Sequence, residues 1–321
     1  MSWIDRINYN WYRFKYRYGK NLLLTTPVDV SLELSSTCNQ SCGYCYHADQ
    51  KNLPFVKGLM KWETAEEIIY QSAVLGVNSI KFNWKGESTL NPIFRDCTAL
   101  AKKLSTRTTF IDRLTNSNFK FPTNKEEIFE GLSNQTKVKI SFDSFIKEVL
   151  ETQRRGAKYE LALANIDKFY NHPLRILSNT EMVIQAVRTK LNKDEDIYGE
   201  VKRRWPSASV SVRDMVTGRV GADLSGLEHK TKDSSRRQSC QQAHVRVIFN
   251  HSGRAHACCP DIGEKLQLGH IDKDTVWSIY NSIQAKELRR SLKDGSAFLK
   301  DPCKTCSSYE SYQGYQPGWH A

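Results

Sequence analysis

The chain lacks any apolar run of the roughly 18 residues that a membrane-spanning helix needs. It also lacks a secretory signal, because the N-terminal stretch MSWIDRINYNWYRFKYRYGK is too polar and too aromatic to be one. No dense Lys/Arg block dominates, although 47 basic residues against 35 acidic ones leave a net charge of +12. These absences speak against a helical membrane span and a membrane partner, and make the cytoplasm the expected location. The surplus charge is then either a solvated basic surface or an attraction for anions, nucleotides or nucleic acid. Short basic–aromatic stretches at residues 11–20, at Lys202-Arg203-Arg204-Trp205 and at Arg236-Arg237 keep nucleic acid a candidate partner. A composition of 39% hydrophobic and 26% charged residues is that of a globular protein. The 321 residues suffice for one large α/β domain, or for a barrel with a smaller module.

Cysteine, by contrast, is plentiful, with nine residues in the chain. In a reducing compartment clustered cysteines hold metal more often than they form disulfides. Cys38, Cys42 and Cys45 lie near the start, and Cys240, Cys258, Cys259, Cys303 and Cys306 lie in the last quarter. Cys97 stands alone in an apolar helical pattern and is expected in the core. The first group, Cys38-x3-Cys42-x2-Cys45, directly follows the strand-like Val30-Ser31-Leu32-Glu33-Leu34. Three thiolates at this spacing can grip three irons of a 4Fe–4S cube and leave the fourth open for chemistry. Taken alone, the same spacing also suits a fragment of a zinc site.

Strands and helices alternate after this loop. Helices are expected over Glu63–Leu75, from Asn91-Pro92 to Leu104, near Lys125–Leu132, and over Ala157–Tyr170 and Asp194–Arg204. Strands are expected over Ser79–Trp84, Thr108–Thr115, Val138–Phe142, Glu181–Val187 and Ala208–Val212. Short connections between such repeats predict an α/β fold, a partial (β/α)6 TIM-like barrel with its chemistry on loops at the C-terminal strand ends. The texture changes beyond Arg213. A linker over 217–239 is followed by a hairpin, Val245–Phe249 with Ala255–Cys258, turned at His251-Ser252-Gly253. A helix over Thr275–Leu292 and the final Cys303-x2-Cys306 complete a small C-terminal α+β module. The expected divisions are an aromatic and basic extension (1–27), the barrel (28–216), the linker, the module (240–310) and a tail (311–321). The extension is read either as an arm stacking on bases or as an amphipathic helix packed on the barrel. The tail is read either as a cover for the active site or as disordered.

The cysteine loop, with Tyr44 before its third cysteine, resembles the signature of radical S-adenosylmethionine (SAM) enzymes. In that family the open iron chelates SAM, and an electron from the cluster cleaves it to methionine and a 5′-deoxyadenosyl radical that takes hydrogen from the substrate. Lys85-Gly86-Glu87-Ser88 resembles the family's Gly-Gly-Glu-Pro segment, which implies that Glu87 binds the SAM amino group. Lys85 and Ser88 depart from that pattern, and Lys85 could place a cation near the SAM or substrate pocket. Thr115-Asn116-Ser117 and Ser141-Phe142-Asp143 resemble segments ending strands three and four. The resemblance implies that Asn116, Ser141 and Asp143 contact SAM, together with Tyr44. Arg155, in Arg154-Arg155-Gly156, is the implied partner of the SAM carboxylate, and Gln185 an inward-facing contact. The C-terminal cysteines resemble the twitch form of the SPASM extension, implying an auxiliary 4Fe–4S cluster on Cys240, Cys258, Cys303 and Cys306, with Cys259 spare. Four thiolates suit zinc equally well.

The resemblance implies two 4Fe–4S clusters, SAM, and a reductant such as flavodoxin or ferredoxin. The expected reaction is oxidation or rearrangement of a small or nucleotide-like substrate, with the auxiliary cluster able to accept an electron. About 27 residues precede strand one, too few for the leader-binding module of peptide-modifying relatives. Lys85 and Arg213 are the candidate cations for an anionic substrate. Two alternatives are radical modification of nucleic acid, for example phage DNA, or of a peptide or protein. A third is a zinc-containing nucleic-acid-binding protein.

Overall fold

A computed structural model of the chain describes residues 3–123, 125–215, 240–304 and 306. The expected linker and tail, and Arg236-Arg237, lie outside the described residues. Nine strands form one sheet: β1 (Asp29–Leu32), β2 (Ser79–Lys81), β3 (Asp112–Ser117), β4 (Lys137–Ser141), β5 (Glu181–Arg188), β6 (Ser209–Asp214), β7 (Arg246–Phe249), β8 (Arg254–His256) and β9 (Gln267–His270). Their order is β6-β5-β4-β3-β2-β1-β7-β8-β9. All pairs from β6 through β1 to β7 are parallel, and β8 and β9 add an antiparallel edge. The sheet is an open, TIM-like α/β barrel. The hairpin expected in the C-terminal module pairs directly with β1, so that module continues the barrel's own sheet.

Period-two alternation sorts the strand side chains onto two faces. Val30, Leu32, Ile80, Phe82, Val138, Ile140, Met182, Ile184, Ala186, Val247 and Phe249 face the surrounding helices and form the main apolar core, with Cys97 fully buried among them. The alternate positions turn into the barrel lumen and are mostly polar, with Leu114, Val183, Val187 and Ile248 as apolar exceptions. The polar ones include Asp29, Ser31, Lys81, Asp112, Asn116, Lys137, Lys139, Ser141, Gln185, Ser211 and Arg246. Such a polar interior is costly unless its groups are paired or serve a ligand.

The aromatic N-terminal segment is the helix Trp3–Tyr18, packed on the barrel. Its Tyr12 is buried against Val28 and Val245 and donates a 2.9 Å hydrogen bond to Asp112. Tyr16 accepts one of 2.7 Å from Arg246. Both partners lie at the N-terminal strand ends, so this helix stops the bottom of the lumen.

Most expected elements form within a turn of their expected ends. β2 is shorter than expected, since only Phe82 N–H still pairs across, to Leu114 O, before the chain turns into its loop. β3 starts late because buried Phe110 takes a left-handed conformation, φ 48°, that breaks a strand. The single helix expected over Thr275–Leu292 is two, Val276–Tyr280 and Ile283–Asp294, because Ser282 caps the second by accepting from Ala285 N–H. Three short helices, Lys147–Gln153, Pro173–Leu177 and Gln242–Val245, and the edge strand β9 are additional to the expected elements.

Candidate active site at the cysteine loop

The loop after β1 is stitched to its neighbours by backbone. Glu87 N–H donates to Thr37 O at 2.8 Å, and Ser41 and Gly43 N–H donate to Arg155 O and Gln153 O. Gly86 permits the first of these contacts. A Cβ there would lie 2.3 Å from Thr37 O and 2.4 Å from Ser35 O, so no other residue fits without moving backbone.

Cys42 is buried and Cys38 and Cys45 are half-buried. Burial pushes the Cys38 thiol up to about 12 and the Cys42 thiol up to about 11. Cys42, Tyr44 and Met215 pack together with Cys45 and with Val187, a lumen-facing residue of β5. The loop therefore sits over the C-terminal mouth of the lumen, where barrel chemistry is expected. Asn118 Nδ2 approaches Cys38 Sγ at 3.9 Å, and Gln40 Oε1 lies 3.6 Å from Cys42 Sγ.

The resemblance-derived residues gather in two groups around this loop. Glu87 is buried; one carboxylate oxygen accepts from Asn118 N–H at 2.8 Å and the other from Thr89 Oγ1 at 2.8 Å. Burial raises its pKa, and those hydrogen bonds oppose the rise. Asp143 is fully buried, accepting from Tyr44 Oη at 2.6 Å, from Arg154 at 2.9 Å and from Val187 N–H at 2.9 Å. Ser141 pairs across the ladder with Gln185, and Gln185 with Ser211, at one level of the lumen. Asn116 lies lower, across from Lys139.

Arg155 is turned to the loop backbone, donating to Ser41 O at 3.0 Å. Its neighbour Arg154 is the buried one. Besides Asp143, Arg154 reaches Cys42 Sγ at 3.9 Å and lies 5.7 Å from the Tyr44 ring. Burial works against its charge, but Asp143, Tyr44 and Cys42 outweigh it and hold the guanidinium protonated. Nothing in the adjacent Arg-Arg pair distinguishes the buried member from the half-exposed one.

Lys85 is not a spare cation. Its buried ammonium pairs with Glu264 and lies 3.7 Å from Glu33. Asn250 holds Glu264 through bonds of 3.1 Å, and Trp84 Nε1 donates to Cys259 O at 2.9 Å. These contacts fasten the loop after β2 to the C-terminal segment. There, Cys240, Cys258, Cys303 and Cys306 line one cavity with Pro260, Phe298 and Pro302. Burial pushes the Cys240 thiol up to about 12 and raises Cys258 as well, and neighbouring cysteines add to both shifts.

Both cysteine groups fit iron–sulfur clusters. Buried thiols at high pKa stay neutral on their own, and iron supplies the positive charge that lets them ionise. Among the described residues no three His, Cys, Asp or Glu side chains close to the spacing of a single ion. A cube spreads its thiolates further apart, since each binds a different iron.

The iron–sulfur cluster-binding domain family SPASM matches residues 240–307. An S-adenosyl-L-methionine-dependent 2-deoxy-scyllo-inosamine dehydrogenase of Niallia circulans is 21% identical, over 87% of this chain and 92% of that protein. The structure of BtrN in complex with AdoMet and 2-DOIA superimposes with a TM-score of 0.58 at 17% identity, covering 90% of this chain and 95% of BtrN. Streptococcus suis SuiB bound to S-adenosylmethionine gives a TM-score of 0.66 at 15% identity, over 91% of this chain and 74% of SuiB. The enzyme anSMEcpe with bound AdoMet gives 0.59 at 18% identity, over 89% and 88%. The zinc reading of the C-terminal cysteines is set aside by the first of these matches. Among the described residues no helix is long and apolar enough to cross a membrane. The chain is thus similar over most of its length to S-adenosylmethionine-dependent radical enzymes, and residues 240–307 match the SPASM iron–sulfur cluster-binding domain.

Proposed function

We propose that this enzyme oxidises a small molecule held in the barrel lumen, by hydrogen abstraction below the cysteine loop. The observation that carries the proposal is the end-to-end likeness to a small-molecule dehydrogenase, 92% of which is covered by this chain. The polar lumen opening under Cys42 and Tyr44 supports it. When bound, the loop cluster and SAM supply the 5′-deoxyadenosyl radical, and the C-terminal cluster supplies an acceptor for the substrate's second electron.

The chain's own residues do the positioning. Cys38, Cys42 and Cys45 hold the first cluster, and Cys240, Cys258, Cys303 and Cys306 the second. Glu87, fixed by Asn118 and Thr89, offers a carboxylate to the SAM ammonium. Asp143 orients Tyr44, and Arg154 pairs with Asp143 while presenting a cation beside Cys42. Arg155, Asn116, Ser141 and Gln185 complete the polar wall around cofactor and substrate. The helix Trp3–Tyr18 excludes water from below. A flavodoxin- or ferredoxin-type reductant supplies the starting electron.

The test is incubation of the reconstituted protein with SAM, dithionite and a panel of small polyols, amino polyols and phosphorylated sugars. One of them should stimulate 5′-deoxyadenosine formation and appear as its ketone, one per SAM consumed. Stimulation by peptides or oligonucleotides alone would overturn the proposal.

A further inference from the structure

The lumen holds a cation that the machinery described above does not use. Lys139 stands between Val138 and Ile140, both in the core under the helices, so its side chain turns inward. Other inward cations are taken. Lys137 pairs with Glu181 at 2.9 Å, Arg246 with Asp29 at 2.9 Å, and Lys81 also with Asp29. Lys139 has no ion-pair or hydrogen-bond partner among the described residues. Arg213, Lys81 and Lys137 face it with like charge, and Asp112 is the acidic group nearest in influence. Asp112 itself is engaged by Tyr12 at 2.9 Å and Thr136 at 3.3 Å. Desolvation first, and then those three cations, push the Lys139 amine down to about 7.

Two amides with buried, unpartnered oxygens lie on the neighbouring stretch of sheet, Asn116 across the ladder from Lys139 and Asn83 just beyond β2, two residues past the lumen-facing Lys81. A side-chain amide can turn to present its NH2 donors instead. A surplus cation with two uncommitted amides, enclosed in protein, is expensive unless an anion completes it.

We infer that this level of the lumen binds an anionic group of the substrate, a carboxylate or a phosphate, through Lys139 flanked by Asn83 and Asn116. The inference rests on the radical SAM reading of the site above it and names the class of substrate for that site. Lys139 lies two strand residues below Ser141, or about 7 Å at the usual rise. An anion held there places the attached carbons at the level of Ser141 and Gln185, beneath the loop cysteines. Arg213, one lumen position beyond Ser211 on β6, draws the anion inward from the rim.

The test uses the reconstituted full chain with inorganic sulfate, as a stand-in for phosphate that does not titrate near neutrality, and with acetate for a carboxylate. Calorimetry at pH 7.5 should show one or both binding, with proton uptake as Lys139 becomes charged beside the anion. Lys139→Met should weaken that binding about tenfold or more, whereas Lys139→Arg should keep it and abolish the proton uptake. Sulfate binding points to a phosphoester and acetate binding to a carboxylic acid. No binding of either by the wild type, or equal binding by Lys139→Met, would overturn the inference. Loss of SAM affinity in Lys139→Met together with sulfate affinity would also overturn it, assigning the lysine to SAM's own carboxylate. A loaded wild type that never cleaves SAM would instead sink the functional reading, whatever the anions do.

Discussion

Tyr44 Oη donates a 2.6 Å hydrogen bond to buried Asp143, joining the cysteine loop after β1 to the segment after β4. The same carboxylate accepts from Arg154, so three chain segments meet at one buried charge pair beside Cys42. A pair of this kind punishes loss of one partner more than it rewards its presence.

Arg154→Met should therefore cost about 3–5 kcal/mol of stability, typical of an uncompensated buried charge, and weaken SAM binding. Arg155→Met, at a residue that grips loop backbone, should cost far less stability. Denaturant melts of the two variants, with SAM titrations, separate them. Equal losses would show that the buried pair does not organise the loop.

Gly86→Ala places a methyl against two carbonyl oxygens of the cysteine loop. Overpacking of this kind costs about 1–3 kcal/mol, and here the displaced backbone carries Cys38. The expected result is a SAM affinity about tenfold lower for each 1.4 kcal/mol so lost. Iron bound at the C-terminal module should be unchanged. Wild-type affinity would mean that the two loops are not in contact when SAM is bound.

Cys258 lines the C-terminal cavity and its neighbour Cys259 is not among the lining residues. Cys258→Ser should lower bound iron by about one cluster, roughly four irons, while Cys259→Ser keeps the wild-type content. Iron and sulfide assays on the anaerobically reconstituted proteins decide between them. The reverse pattern would make Cys259 the ligand.

Lys139 gives the stability a pH signature. Its folded pKa, about 7, lies below that of an unfolded lysine, so between roughly pH 7 and 10 the unfolded chain binds the extra proton. Stability from this group then rises with pH across that window, by at most about 1.4 kcal/mol per pH unit. The advantage of Lys139→Met over wild type should be largest at pH 7 and shrink toward pH 10. A difference constant across that range would mean that Lys139 is already neutralised by a partner.

Much of this site was legible in the sequence because it is local. Cys38, Cys42 and Cys45 share one loop, and Glu87 follows a glycine that its neighbours require. Alternating strands and helices gave the barrel, and the alternation Lys137-Val138-Lys139-Ile140-Ser141 already carried the signal of a polar lumen. What stayed hidden depends on long-range pairing. Arg154 and Arg155 are chemically alike in sequence, and only the contacts of Arg154 with Asp143 and with Cys42 of the distant cysteine loop separate them. Lys85 looked like a free cation because its partners, Glu33 and Glu264, lie far along the chain on either side. Phe110 and Ser282 moved element ends through backbone geometry that apolar periodicity does not encode.

The most direct test is anaerobic reconstitution with iron and sulfide, followed by dithionite and SAM. The account predicts a brown protein holding about eight irons in two cubes, which releases 5′-deoxyadenosine and methionine in equal amounts. Cys38→Ser, Cys42→Ser and Cys45→Ser should each abolish that release. A fully loaded wild-type protein that leaves SAM intact would contradict it.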